Sequence, residues 1–122
     1  MFWRFNAFGI SWSLLVISFS LIPGDALPGI SFGVIPIDFV VHVLLYWILC
    51  LLVVVGLLKQ TNYLIAKINA VPLTLLYSNI LGLILEVCQL LINGRTFDVV
   101  DLIANLTGAF LGILTYYILY KW

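Results

Sequence analysis

Charge is what this sequence has least of. Of its 122 residues only 8% are Asp, Glu, Lys or Arg, against about a quarter in an ordinary soluble domain. The formal net charge is zero, and no basic run invites nucleic acid as a partner. Histidine occurs once, and the two cysteines, Cys50 and Cys88, both fall within apolar segments. By helical rise they lie at different depths, roughly 18 and 6 Å from the same face. That offset argues against a disulfide, so both read as small packing residues. No residue spacing identifies a metal site, and no cofactor is assigned.

What fills the chain instead is apolar: 65% of it is hydrophobic, with mean hydropathy +1.26. So much apolar surface has no place in water, which makes lipid the solvent. Four apolar runs, at about 7–22, 37–58, 71–92 and 99–119, each approach the ~20 residues needed to cross a bilayer. The expected fold is all-α, an integral membrane four-helix bundle formed by a single domain over 1–122. Arg4 before the first run, which ends near Pro23-Gly24-Asp25-Ala26, also has the outline of a signal peptide. No clean small-residue cleavage site follows, so the run is read as a span.

Charge of each sign has its own side. Arg4, Lys59, Lys67 and Lys121 fall beyond one set of span ends, and only Arg95 falls beyond the other. The positive-inside rule then places both the N-terminus and the C-terminus in the cytoplasm, with the protein in the cytoplasmic (inner) membrane. Asp25, Asp38, Glu86, Asp98 and Asp101, which are all five acids, sit with His42 and Arg95 in the outer half. Acids contribute little to topology, so insertion does not require this segregation. It points to a site. The outer loop from Pro23 to Pro36 is too rich in proline and glycine for a helix, yet Leu27, Ile30, Phe32, Val34 and Ile35 make it apolar. A half-embedded flap over the outer helix ends is expected. Trp3, Tyr116, Tyr117, Tyr120 and Trp122 suit an aromatic belt on the inner side.

The polar residues recur at helical spacing. Asp38, His42 and Tyr46 form a stripe on the second span; Glu86, Gln89 and Asn93 form one on the third. Asp98, Asp101, Asn105, Gly108 and Gly112 share a face of the fourth, and Ala104, Gly108 and Gly112 allow a neighbouring helix to approach closely. An acid in mid-span costs ~3 kcal/mol, falling toward the interface. The stripes are therefore expected to face one another, with His42, Glu86 and Asn105 roughly 6–11 Å below the outer surface. Asp38 and Asp98 also fit helix N-caps, and Asp101 fits a first turn. Glu86 fits no such role. It lies in the C-terminal half of its helix, where the dipole disfavours an anion, so it must pair with His42 or Arg95 or hold a proton.

The run Glu86-Val-Cys-Gln89-Leu-Leu-Ile-Asn-Gly94-Arg95-Thr-Phe97-Asp98-Val-Val-Asp101-Leu-Ile-Ala104-Asn105-Leu-Thr-Gly108 closely resembles the signature of the VanZ-like family. Pro23-Gly24-Asp25, Leu27-Pro28, Asp38, His42 and Tyr46 are similar to its upstream part. The family often has lysine after the aspartate that opens the second span, and Phe39 stands there instead. If that lysine offsets the acids in relatives, Arg95, a proton or a bound cation must do so here. The resemblance implies a bacterial membrane protein whose namesake confers low-level teicoplanin resistance. It implies no established reaction.

Three functional expectations follow. In the first, the protein is an envelope protein that binds or modifies a polar ligand at the outer leaflet: a glycopeptide antibiotic, a lipid-linked sugar or a lipid head group. Asp38, His42, Glu86, Gln89, Arg95, Asp98, Asp101 and Asn105 would form the site, with Arg95 recognising an anion. In the second, it is a hydrolase or transferase with Glu86 or His42 as catalytic base and a divalent metal on Asp98 and Asp101. In the third, the polar layer only holds helices together. A transporter is disfavoured because polar groups stop at mid-membrane. Membrane lipid is the one partner common to all three.

Overall fold

The computed structural model describes residues 2–23, 31–92 and 94–120, and most of that length is helical. In order the elements are α1 (Phe2–Ser20), β1 (Ser31–Phe32), β2 (Ile35–Pro36), α2 (Ile37–Lys59), α3 (Leu64–Ile68), α4 (Ala70–Gln89) and α5 (Val99–Tyr120). Three of them, α2, α4 and α5, are long and apolar enough to cross a membrane, with mean hydropathy 2.7, 1.7 and 1.7. α1 has 19 residues but carries Arg4, Asn6 and serines at positions 11, 13, 18 and 20, and it is not one of the three.

Two helix boundaries depart from the apolar runs, each for a local reason. α1 begins well before position 7 because Asn6 donates its amide to the Phe2 carbonyl at 2.9 Å and beds against α2 at Gly56. A Cβ on Gly56 would lie 2.7 Å from Asn6 Oδ1. α4 ends at Gln89, before position 92, because the amides of Leu90, Leu91 and Ile92 bond to carbonyls three residues back. That tightened turn is common at helix ends. Gly94 then takes φ 75°, a left-handed conformation that glycine adopts without strain.

The interior is polar and the outside apolar. Ser13, His42, Thr74, Ser78, Glu86, Gln89, Asp101 and Asn105 are buried, while Leu44, Ile80, Leu106 and Phe110 are exposed. In water this would be upside down. In lipid it is the stable arrangement, because hydrocarbon solvates leucine and strands an unsatisfied amide.

α2 is the central element, touching α1, α4 and α5. Its contact with α5 is the closest, and glycine makes it possible. A Cβ on Gly112 would lie 2.6 Å from the Trp47 carbonyl oxygen, and one on Gly108 would lie 2.9 Å from the Trp47 amide nitrogen. Ala104 is fully buried on the same face. Two indoles cross-link the helices: Trp47 Nε1 donates to Thr115 Oγ1 at 2.8 Å, and Trp12 Nε1 donates to the Leu45 carbonyl at 2.9 Å. Val16, Tyr46, Leu49 and Leu85 form one apolar cluster, and Val54, Ala70 and Ile113 form another.

The start of α1 and the ends of α2 and α5 share one end of the bundle, where the Phe2 ring meets Tyr63 and Lys59 lies over Tyr120. Tyr116 stacks on Tyr120 there, whereas Lys121 and Trp122 lie outside the described residues. The ends of α1 and α4 and the starts of α2 and α5 form the opposite end. Of the expected flap, Asp25 and the rest of 24–30 lie outside the described residues. Its last part is an antiparallel hairpin turning at Gly33 (φ 63°), with Val34 fully exposed at the tip. Both cysteines are free.

Candidate functional site

The geometry at this second end grows out of helix register. Asp38 is the second residue of α2, and His42 follows one turn later on the same face. The N-cap position of α2 is Pro36, so Asp38 caps nothing with its side chain. Asp98, by contrast, acts as a cap: its Oδ1 accepts the Val100 amide at 2.8 Å, satisfying one of the free donors at the start of α5. Asp98 is exposed, whereas Asp101, nearly one turn into α5, is buried.

His42 Nδ1 donates to Asn105 Oδ1 at 2.9 Å across the α2–α5 contact. Gly82 of α4 leaves room for this pair, since a Cβ there would lie 2.9 Å from Asn105 Nδ2. The other imidazole nitrogen, Nε2, faces Asp38 Oδ1 at 3.9 Å and Asp101 Oδ2 at 3.8 Å. Asp38 Oδ2 faces Arg95 Nη1 at 3.7 Å. Its two oxygens thus look toward two different side chains, His42 and Arg95.

Glu86 has neither of the partners expected for it. Among the described residues no ion pair forms between it and His42 or Arg95; its Oε2 accepts the Asp98 amide at 3.2 Å. The carboxylate sits at the C-terminal end of its own helix but against the N-terminal end of α5. The second dipole favours an anion where the first disfavours it. That tertiary neighbour is what reasoning from a single helix could not supply.

Gln89 and Arg95 converge on one carbonyl. Gln89 Nε2 donates to the Ser20 oxygen at 2.9 Å, and Arg95 Nη2 donates to the same atom at 3.3 Å. Ser20 ends α1, whose last carbonyls have no partner within the helix. The Arg95 side chain is only 9% exposed, and its Nε is buried without any acceptor. Among the described residues it is the one buried side-chain nitrogen or oxygen left so. Asn93 lies outside the described residues.

Asp38, His42, Asp101 and Asn105 therefore meet between α2 and α5, with Glu86, Gln89 and Arg95 closing the α4 and α1 sides and Asp98 at the rim. Reasoning from sequence passed over the Ser20 carbonyl, which has no sequence signal. It also passed over Gly82, which does have one: Thr74, Ser78, Gly82 and Glu86 recur every four residues on the buried face of α4. The metal-binding pair expected under the enzyme reading, Asp98 with Asp101, is not the group that lies within coordinating reach of a common point. Among the described residues that group is Asp38, His42 and Asp101. Asp98 is committed to capping α5.

A protein-family model described as VanZ/LLP1 matches residues 2–120, nearly the whole chain. No curated protein and no solved structure matches.

Proposed function

The chain belongs to the VanZ/LLP1 family of membrane proteins, and from that premise we propose that it is a four-span protein of the bacterial cytoplasmic membrane that binds the anionic head group of an envelope ligand at its outer end. Both termini face the cytoplasm, and α1 is the fourth span. Lys59 and Lys67, with Arg4, support that orientation under the positive-inside rule. α1 meets the demands of lipid by internal satisfaction: Ser13 and Ser18 each donate to the carbonyl four residues back, at 2.7 and 2.8 Å. A C-terminal reporter that reads as periplasmic or extracellular would overturn this orientation.

The observation that carries the ligand reading is the guanidinium of Arg95. It is nine-tenths buried, fixed by the Ser20 carbonyl and Asp38, and still has a donor with no acceptor. A buried unsatisfied donor costs about 1–3 kcal/mol, and a planar fork suits phosphate or carboxylate. The ligand classes that fit are a lipid-linked sugar phosphate, a lipid head group and the carboxylate of a glycopeptide antibiotic. The last would connect the site with teicoplanin resistance. Titration of the protein in nanodiscs with a lipid-linked diphosphate sugar, an anionic phospholipid and teicoplanin tests the reading. Saturable binding of one of them supports it, and no binding by any of the three removes it.

One observation favours a second reading, a hydrolase or transferase acting on the same head group. Asn105 Oδ1 accepts a hydrogen bond from His42 Nδ1–H, an arrangement in which the neutral imidazole holds its Nε2 lone pair for use as a general base. Turnover of a bound lipid-linked substrate, lost in His42→Gln with binding retained, would distinguish it.

A further inference from the structure

We propose that Asp38, His42 and Asp101 bind a divalent transition-metal ion. The three offer one ligand atom each, all within 4.8 Å of one another. Three atoms so spaced share a centre no more than about 2.8 Å from each. Small side-chain rotations close that distance to the roughly 2.0–2.2 Å of Zn²⁺ with imidazole and carboxylate ligands.

The second, independent observation is the state of His42 itself. It is 4% exposed, and its Nδ1–H is donated to Asn105. In the neutral imidazole, Nε2 then presents its lone pair toward two carboxylates that are themselves acceptors. A cation between them would satisfy all three acceptors at once. A shared proton does not fit the spacing, because 3.8 and 3.9 Å exceed the 2.7–3.2 Å of a hydrogen bond. Ligands around one ion, each about 2.1 Å from it, stand roughly 3.0–3.7 Å apart. The two His42–carboxylate separations lie just beyond that range, and the whole set, within 4.8 Å, has to draw in on the ion.

The surroundings match a metal centre in three more respects. A metal-bound imidazole characteristically donates its other nitrogen to an oxygen acceptor, which is what Asn105 provides. Asp101 is buried, and its Oδ2 faces His42 Nε2. Arg95 engages only the outer oxygen of Asp38, leaving Oδ1 for an ion. Two carboxylates and a divalent ion sum to zero charge, the state that a low-dielectric interior tolerates best. One nitrogen and two oxygen donors suit Zn²⁺ or Mn²⁺ better than Ca²⁺ or Mg²⁺. Three protein ligands also leave open positions, beside Arg95, for oxygen atoms of a bound anion. Asp38, the half-exposed member, gives the ion its way in.

The inference goes beyond the head-group reading and is tested with the ion alone, so its failure leaves that reading standing. Full-length protein in nanodiscs is stripped with a chelator and titrated with Zn²⁺ by calorimetry. Mn²⁺-loaded protein is examined by pulsed electron paramagnetic resonance for coupling to an imidazole nitrogen. The expected result is one ion per chain, with nitrogen coupling that disappears in His42→Gln. Affinity should fall at least about tenfold in both Asp38→Asn and Asp101→Asn. Asp38 is half-exposed at a helix start, so its variant is expected to stay folded even if the Asp101 variant does not. Absence of saturable binding overturns the proposal. So does unchanged affinity in Asp38→Asn at an unchanged melting temperature.

Discussion

The two ends of the bundle both carry polar side chains, but they satisfy them in different ways. At the end where α1 starts and α2 and α5 finish, the bonds are local. Asn6 donates to Phe2, Asn69 to Ile65 and Thr74 to Ala70, each four residues back, and Gln60 closes a ring with the backbone of Tyr63. At the other end the partners lie far apart in sequence: His42 with Asn105, Glu86 with the Asp98 amide, Gln89 and Arg95 with Ser20, and Arg95 with Asp38. There, too, lies the one buried side-chain nitrogen or oxygen left without a hydrogen bond among the described residues, Arg95 Nε. A locally bonded side chain only neutralises its own presence in lipid and asks nothing of the rest of the fold. A polar layer held by long-range partners, with Arg95 Nε still unpaired, is what the proposed head-group site rests on.

The difference can be broken or sharpened by substitution, with stability followed by unfolding in mixed micelles. The largest effect is expected midway between the ends, where Gly112→Val drives a branched side chain into the Trp47 carbonyl. A loss of about 2–3 kcal/mol is expected, and little change would mean that the α2–α5 contact is not close. Next comes Asn105→Leu, which leaves the His42 Nδ1 donor buried and unpaired, at about 1–3 kcal/mol. Glu86→Leu should lose a similar amount by orphaning the Asp98 amide, whereas Glu86→Gln keeps an acceptor and should stay within about 1 kcal/mol. If Gln proves as harmful as Leu, the charge matters to the fold and the amide contact is not the main partner. At the local end, Asn69→Ala and Thr74→Val should each cost under about 0.5 kcal/mol and leave ligand binding untouched. Loss of binding in either would erase the contrast between the ends.

Much of the architecture can be read from hydropathy and spacing. The long helices lie where the apolar runs do, because lipid imposes a length and forbids unsatisfied backbone. The four-residue recurrence of Asp38 and His42 already put two candidate site residues on one face, and the glycines of α5 already announced a close contact. What spacing cannot supply is the identity of partners across helices. Glu86 resisted explanation on its own helix, and the account lay in the dipole of α5. Ser20 gives no signal, since it is the backbone carbonyl at a helix end that recruits Gln89 and Arg95. Asp38 and Asp98 looked alike in sequence as possible caps. Two residues of register separate them: one caps a helix, and the other faces His42 and Arg95.

The central claim is that the incomplete layer serves a bound anion rather than the helices alone. Arg95→Lys tests it most directly, keeping the charge and removing the planar fork. Melting temperature and affinity for the ligand identified in nanodiscs are read on the same sample. The account predicts at least a tenfold loss of affinity with the melting temperature nearly unchanged. Unaltered affinity, or a collapse in stability while the protein that remains folded binds as before, would contradict it.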